Sequence, residues 1–230
     1  MHSTVRLTVA LAAGSLTLLG CAAPEQREGG PQQMSFFVTS KNPGNGGNLG
    51  GLAGADAHCR ALAASAGAGN RNWRAYLSTQ GKELGDKGII HARDRIGNGP
   101  WYNAKGVRIA RNVADLHSAG NNVTKDTALD ERGNRVNGRT EKPNRHDIMT
   151  GSRPDGTAMA PSGRFGDKTC SNWTNGSAQG SAMLGHHDRA GPTTDAWAVS
   201  WNSAHPSIGC DLGQLAKTGG GGLFYCFAAD

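Results

Sequence analysis

Three short stretches in the second half of the chain gather side chains able to hold a metal ion or move protons: Arg145-His146-Asp147, His186-His187-Asp188-Arg189 and His205. Neutral imidazoles are common ligands of transition metals, and a histidine beside a carboxylate is equally an acid–base pair. Four histidines and two aspartates suffice for either chemistry. No HExxH-like spacing, however, sets two of them on one helix face. Most stand close to Gly or Pro turn residues, which favours a structural account in which Asp caps turns and holds a His N–H while imidazoles satisfy loop carbonyls. On these grounds no catalytic residue and no metal ligand is assigned, and a non-enzymatic role is expected; the alternatives are an envelope hydrolase using this His/Asp cluster and a structural envelope component without a small ligand.

The cysteines carry a different chemistry. Leu18-Leu19-Gly20-Cys21 looks like a lipobox, with a small residue before the cut and a thiol ready for thioether acylation. Ahead of it, Arg6 supplies a positive n-region and residues 7–19 an apolar stretch of signal-peptide length, too short for a membrane span. Residues 1–20 therefore read as a signal peptide and Cys21 as the lipidated mature N-terminus. Each buried acyl methylene contributes about 0.8 kcal/mol, so several chains on one Cys anchor the protein durably. The non-acidic Ala22 points to the outer membrane of a bacterial envelope. Cys59, Cys170, Cys210 and Cys226 remain, an even number in an oxidising compartment, which predicts two disulfides. Spacing alone permits three pairings. These four lie singly, without the paired spacings of a zinc site.

The elements that position these residues are short. Residues 21–33 (CAAPEQREGGPQQ in full) are polar with Gly and Pro and no apolar periodicity, and read as a flexible tether. A single folded domain over residues 34–230 follows, long enough for one sizeable core. With 35 Gly and only 6% aromatic residues, the composition disfavours a helical bundle and favours a loop-rich fold of short strands joined by tight turns; the class expected is α+β, with one or two helices and long loops. Phe36-Phe37-Val38 and the wholly apolar Leu223 to Phe227 run predict strands at the two ends of the domain. A helix is expected through Ala57, Cys59, Leu62 and Ala63, capped by Asp56 and ended by Gly67 and Gly69. If the terminal strands pair, a Cys59–Cys226 bridge would fasten that helix across them. Residues 120–143, rich in Asn and Gly, predict a long surface loop anchored by Val123, Ala128-Leu129 and Val136. The net charge is +6; losing Arg6 with the leader leaves 23 of the 24 basic residues against 18 acidic, a mild +5. Scattered cations favour anionic partners without forming a nucleic-acid-binding run.

Several blocks, in their order with the cysteines, resemble the C-type-lectin-like fold and endostatin in particular. Residues 46–61 (GGNLGGLAGADAHCRA) are similar to the loop and first helix of endostatin, and residues 72–78 (NWRAYLS) to its next strand. Asp94-Arg95-Ile96, residues 150–156 (TGSRPDG) and residues 169–173 (TCSNW) resemble later turns and a strand. A lipobox ahead of such a domain also resembles endostatin-like outer-membrane lipoproteins of bacteria and proteobacterial proteins called lectins. The resemblance implies nested pairing, Cys59 with Cys226 and Cys170 with Cys210. It further implies adhesion or capture of a glycan or an anionic, matrix-like polymer, with the membrane reached through the lipid anchor and no nucleic acid as partner.

Sugar-binding members of that fold coordinate calcium through oxygen-rich loops. Here Glu141-Lys142-Pro143-Asn144 carries an inserted Lys and precedes Cys170, and Trp201-Asn202-Ser203 has Ser where an Asp would bind. Between Cys170 and Cys210 the acids are Asp188 and Asp195 alone, so no cofactor is expected and calcium is left a degraded possibility. Endostatin's N-terminal zinc histidines have no counterpart, His58 being the one His between Cys21 and Cys59. Among five Trp, Trp173 and Trp201 flank the inner cysteines and would border a ligand face, where an exposed ring could stack on a sugar. His187, Asp188 and Asn202 are candidates on the same face. Arg93 and Arg95, within a block that also holds Lys105, Arg108 and Arg111, are candidates for an anionic polymer.

Overall fold

The computed structural model describes residues 1–2 and 34–230. The expected tether, Cys21 and all but the first two residues of the leader lie outside the described residues. Eight strands occur among them: β1 Phe36–Val38, β2 Trp73–Ala75, β3 Trp101–Tyr102, β4 Arg108–Ala110, β5 Asp147–Met149, β6 Met183–His186, β7 His205–Pro206 and β8 Gly220–Ala228. The protein is a mixed α+β structure with few helices, small sheets and two disulfides. No helix of the described residues is long and apolar enough to cross a membrane.

The C-terminal apolar run is the central strand. β8 pairs antiparallel with β1 (Phe37 opposite Cys226) and with β2 (Ala75 opposite Cys226), and parallel with β5 (Ile148 opposite Leu223). Its side chains alternate between two cores. Phe224 and Cys226 face a cluster with Phe37, Cys59, Leu62, Trp73 and Trp173, whereas Leu223, Tyr225 and Phe227 face one with Phe36, Tyr76, Trp101, Ile148 and Trp201. A strand covered on both faces has no solvent side to alternate with, which is why the run is apolar throughout.

The helix Gly51–Ser65 buries Ala55, Asp56, Cys59, Leu62 and Ala63 along one stripe. It starts earlier than expected, with Gly50 at its N-cap and no side-chain cap. Asp56 therefore does not cap it. Its carboxylate is buried and takes hydrogen bonds from Arg95 at 2.8 and 2.9 Å, from Arg74 at 2.8 Å and from the Ala75 amide at 2.9 Å.

The inward face of that helix delivers Cys59 to Cys226, with a Cα–Cα distance of 5.7 Å across 167 residues. Cys170 joins Cys210 at 5.8 Å across 40 residues, inside the first loop. This is the nested order that the resemblance implied. Chain-entropy arguments give about 5 and 4 kcal/mol of stabilisation for loops of these lengths.

Residues 169–173 do not form a strand. Cys170, Ser171, Asn172 and Trp173 have φ of 48, 54, 53 and 67°, a left-handed turn costing about 1–2 kcal/mol per residue. The surroundings hold it: Trp173 Nε1 donates to Ser78 O at 2.8 Å, Asn172 bonds both backbone groups of Gln80, and the inner disulfide pins its first residue. Residues 120–143 contain only isolated bridges, and Val123, Ala128, Leu129 and Val136 are buried as its anchors.

Candidate functional site

The histidines and aspartates converge because of strand register. Asp147 in β5 stands opposite His186 in β6, and Leu184, two residues back on the same face of β6, stands opposite His205 in β7. Opposed residues share a face, so Asp147, His186 and His205 point to one side of the sheet. His146 precedes β5, where the β5–β8 pairing is irregular between Asp147 and Ile148, and its ring stacks on that of His186 with centroids 4.2 Å apart.

All three Nε2 atoms gather around one carboxylate oxygen. Asp147 Oδ1 lies 3.1 Å from His146, 3.3 Å from His186 and 3.5 Å from His205. The Asp147 and His186 side chains are 0% and 1% exposed and His146 is 5% exposed, while His205, at 28%, marks the open side. Burial pushes the Asp147 carboxyl up, but the imidazoles of His186, His205 and His146 outweigh it and hold the group below the ordinary carboxylate range. Each ring is fixed from behind: His146 Nδ1 donates to Asp188 Oδ1 (3.2 Å), His186 Nδ1 to Ala198 O (2.7 Å) and His205 Nδ1 to Pro206 O (3.2 Å). His146, Asp147 and His186 can hold a metal, their ligand atoms lying within 4.8 Å of one another.

Asp188 couples this cluster to the neighbouring loop. Besides His146 it accepts from the Ala190 amide at 3.1 Å and, through Oδ2, from the Arg139 amide at 2.7 Å. The chain passes so close that a Cβ on Gly138 would sit 2.7 Å from Asp188 Oδ2 and push that carboxylate from its place. Burial pushes the Asp188 carboxyl up, yet the His146 ring and these amides hold it well below the usual range. His187 turns away from the cluster. It is fully buried, its Nε2 donates to Asn137 O at 3.1 Å, and burial pushes its imidazole down to about 4.

The remaining candidates are scattered, and most are committed to internal contacts. Trp173 is fully buried and Trp201 is 4% exposed, so neither ring is free to stack on a ligand. Asn202 is buried and donates to Tyr76 Oη, Arg153 O and Pro154 O. Arg95 is pinned by Asp56, and Arg93 donates to Asp155 O at 2.9 Å. Of the oxygens that would serve calcium, Glu141 pairs with Lys125 and Asn144 Oδ1 caps the His146 amide. A separate shallow cleft of about 240 Å³ is lined by Gln80, Lys82, Asp167 and Asn172, among others. Its Asp167 already accepts from the amide and hydroxyl of Thr169 and from the Ser171 amide.

Two features escaped the sequence reading. Trp197 is 47% exposed on a loop whose next residue, Ala198, holds His186. The polar run ahead of it, GPTTD, was the available signal. Arg139, Lys142 and Arg145 are all exposed on the loop tied to Asp188, and none forms an ion pair among the described residues. Compared with models of known protein families and with curated proteins, the chain matches none of them.

Proposed function

We propose that this chain is a lipid-anchored bacterial envelope lipoprotein whose domain, of the C-type-lectin-like and endostatin-like kind, is a non-enzymatic module that binds an anionic glycan or similar polymer. The lipobox ending at Cys21 supports the anchor. The nested disulfides and the joined terminal strands support the fold assignment. The observation that carries the ligand class is the loop over residues 139–145, where three exposed cations stand without acidic partners. Unpaired surface cations keep their field available to an anionic polymer, and that attraction is screened by salt. The exposed Trp197 adds an indole face suited to a sugar ring.

A hydrolase working through a side-chain nucleophile has less support. Among the described residues no hydroxyl or thiol bonds the His146, His186 or His205 rings, and all four described cysteines are oxidised. Chromatography on heparin tests the binding reading. The wild-type chain is expected to be retained and released by salt, and the triple variant Arg139→Ala, Lys142→Ala, Arg145→Ala to elute at clearly lower salt. Co-elution of the triple variant with wild type, or retention insensitive to salt, would overturn it.

A further inference from the structure

The cluster around Asp147 leaves buried polar atoms unpaired. Carbonyl and carboxylate oxygens only accept, so the bonds to Asp188, Ala198 O and Pro206 O place the ring hydrogens of His146, His186 and His205 on Nδ1. With the Nδ1 sides so engaged, the three Nε2 atoms all turn toward the carboxylate of Asp147. Neither oxygen of Asp147 has a hydrogen-bond partner, and neither does His186 Nε2, although all are buried. Unpaired buried polar atoms cost about 1–3 kcal/mol each, more when charged. A cation shared by the converging atoms gives them a partner.

We propose that His146, Asp147 and His186 hold a late first-row divalent cation of the Zn²⁺ class, with His205 as a further ligand on the exposed side. The spacings suit it: ligands about 2.0–2.2 Å from a tetrahedral ion stand about 3.3–3.5 Å apart, and Asp147 Oδ1 lies 3.1–3.5 Å from the three nitrogens. Imidazole nitrogens with one carboxylate select zinc and its neighbours, whereas calcium needs six or more oxygens. The groups behind the rings match the way ligating histidines are oriented, by donating the second N–H to a carboxylate or carbonyl. Asp188 is thus a positioning residue, and it ties the ion to the basic loop. This site is independent of the polymer-binding reading.

Equilibrium dialysis of the chelator-stripped full chain against micromolar Zn²⁺ tests it, with bound metal read by elemental analysis. One equivalent is expected, and Co²⁺ in its place should give the visible absorption of a tetrahedral site. His186→Gln should abolish that equivalent, Asp188→Asn should weaken affinity about 10–100-fold, and His58→Gln, on the distant first helix, should change neither. Circular dichroism confirms folding; should His186→Gln fail to fold, His205→Gln, at the exposed side, takes its place and should lower affinity at least about tenfold. A wild-type chain that takes up no Zn²⁺, or folded His186→Gln or His205→Gln chains that bind as wild type does, would overturn the proposal.

Discussion

Two guanidinium groups and an amide surround the buried Asp56 carboxylate, and Arg95, which bonds both of its oxygens, is itself only 11% exposed. Removing the carboxylate leaves that Arg95 charge buried and uncompensated, which typically costs 3–5 kcal/mol. Asp56→Ala should therefore lower the free energy of urea unfolding by about 3–5 kcal/mol; a change below about 1 kcal/mol would show that solvent reaches Arg95. Asp147 differs in that neither of its buried oxygens has a hydrogen-bond partner, although three imidazole nitrogens gather around one of them. The sequence showed that the aspartates and histidines were present but not this distinction, because partners such as Arg95 and His205 lie far away along the chain. Asp56 looked like a helix cap for the same reason: local pattern reports the turn of helix, while the bond that fixes the side chain comes from 39 residues further on.

Strand β6 carries the candidate site and has little room to move. At Gly185, a Cβ would stand 2.0 Å from Trp201 O and 2.4 Å from Asn202 Cα, so β6 lies directly against the segment leading into β7. Gly185→Ala should destabilise the fold by about 1–3 kcal/mol or more, since backbone cannot yield as a side-chain tip can; an unchanged denaturation midpoint would contradict this packing. Elements of this kind differ in how plainly sequence shows them. β1 and β8 were legible because an apolar run of a few residues at a domain end has few other uses. The turn Cys170–Trp173 was not, since four non-glycine residues at positive φ defy local preference and persist only through Ser78, Gln80 and Cys210. The long loop before β5 was recognised as loop, while the exposure of its three cations depended on where it docks.

At the scale of the molecule, one disulfide ties the first helix to the last strand and the other holds an inner loop within that frame. The four cysteines foretold two bridges, and the pairing followed from the resemblance and not from spacing. Both ends of the domain are closed into the sheet, and the candidate features lie between β5 and β7 and in the loop before β5. Three features meet there: the His–Asp cluster, the exposed Trp197, and the cations linked to it through Asp188. The proposed ligand face is this edge; in the block from Arg93 to Arg111 the structure pins Arg95 to Asp56 and pairs Arg111 with Asp115, leaving Lys105 and Arg108 exposed and unpaired among the described residues. Hydrogen–deuterium exchange with and without a heparin oligosaccharide separates the two regions in one measurement. Slowed exchange confined to residues 139–145 and 190–198 is predicted. Protection of residues 93–111 with none at 139–145 would contradict the account.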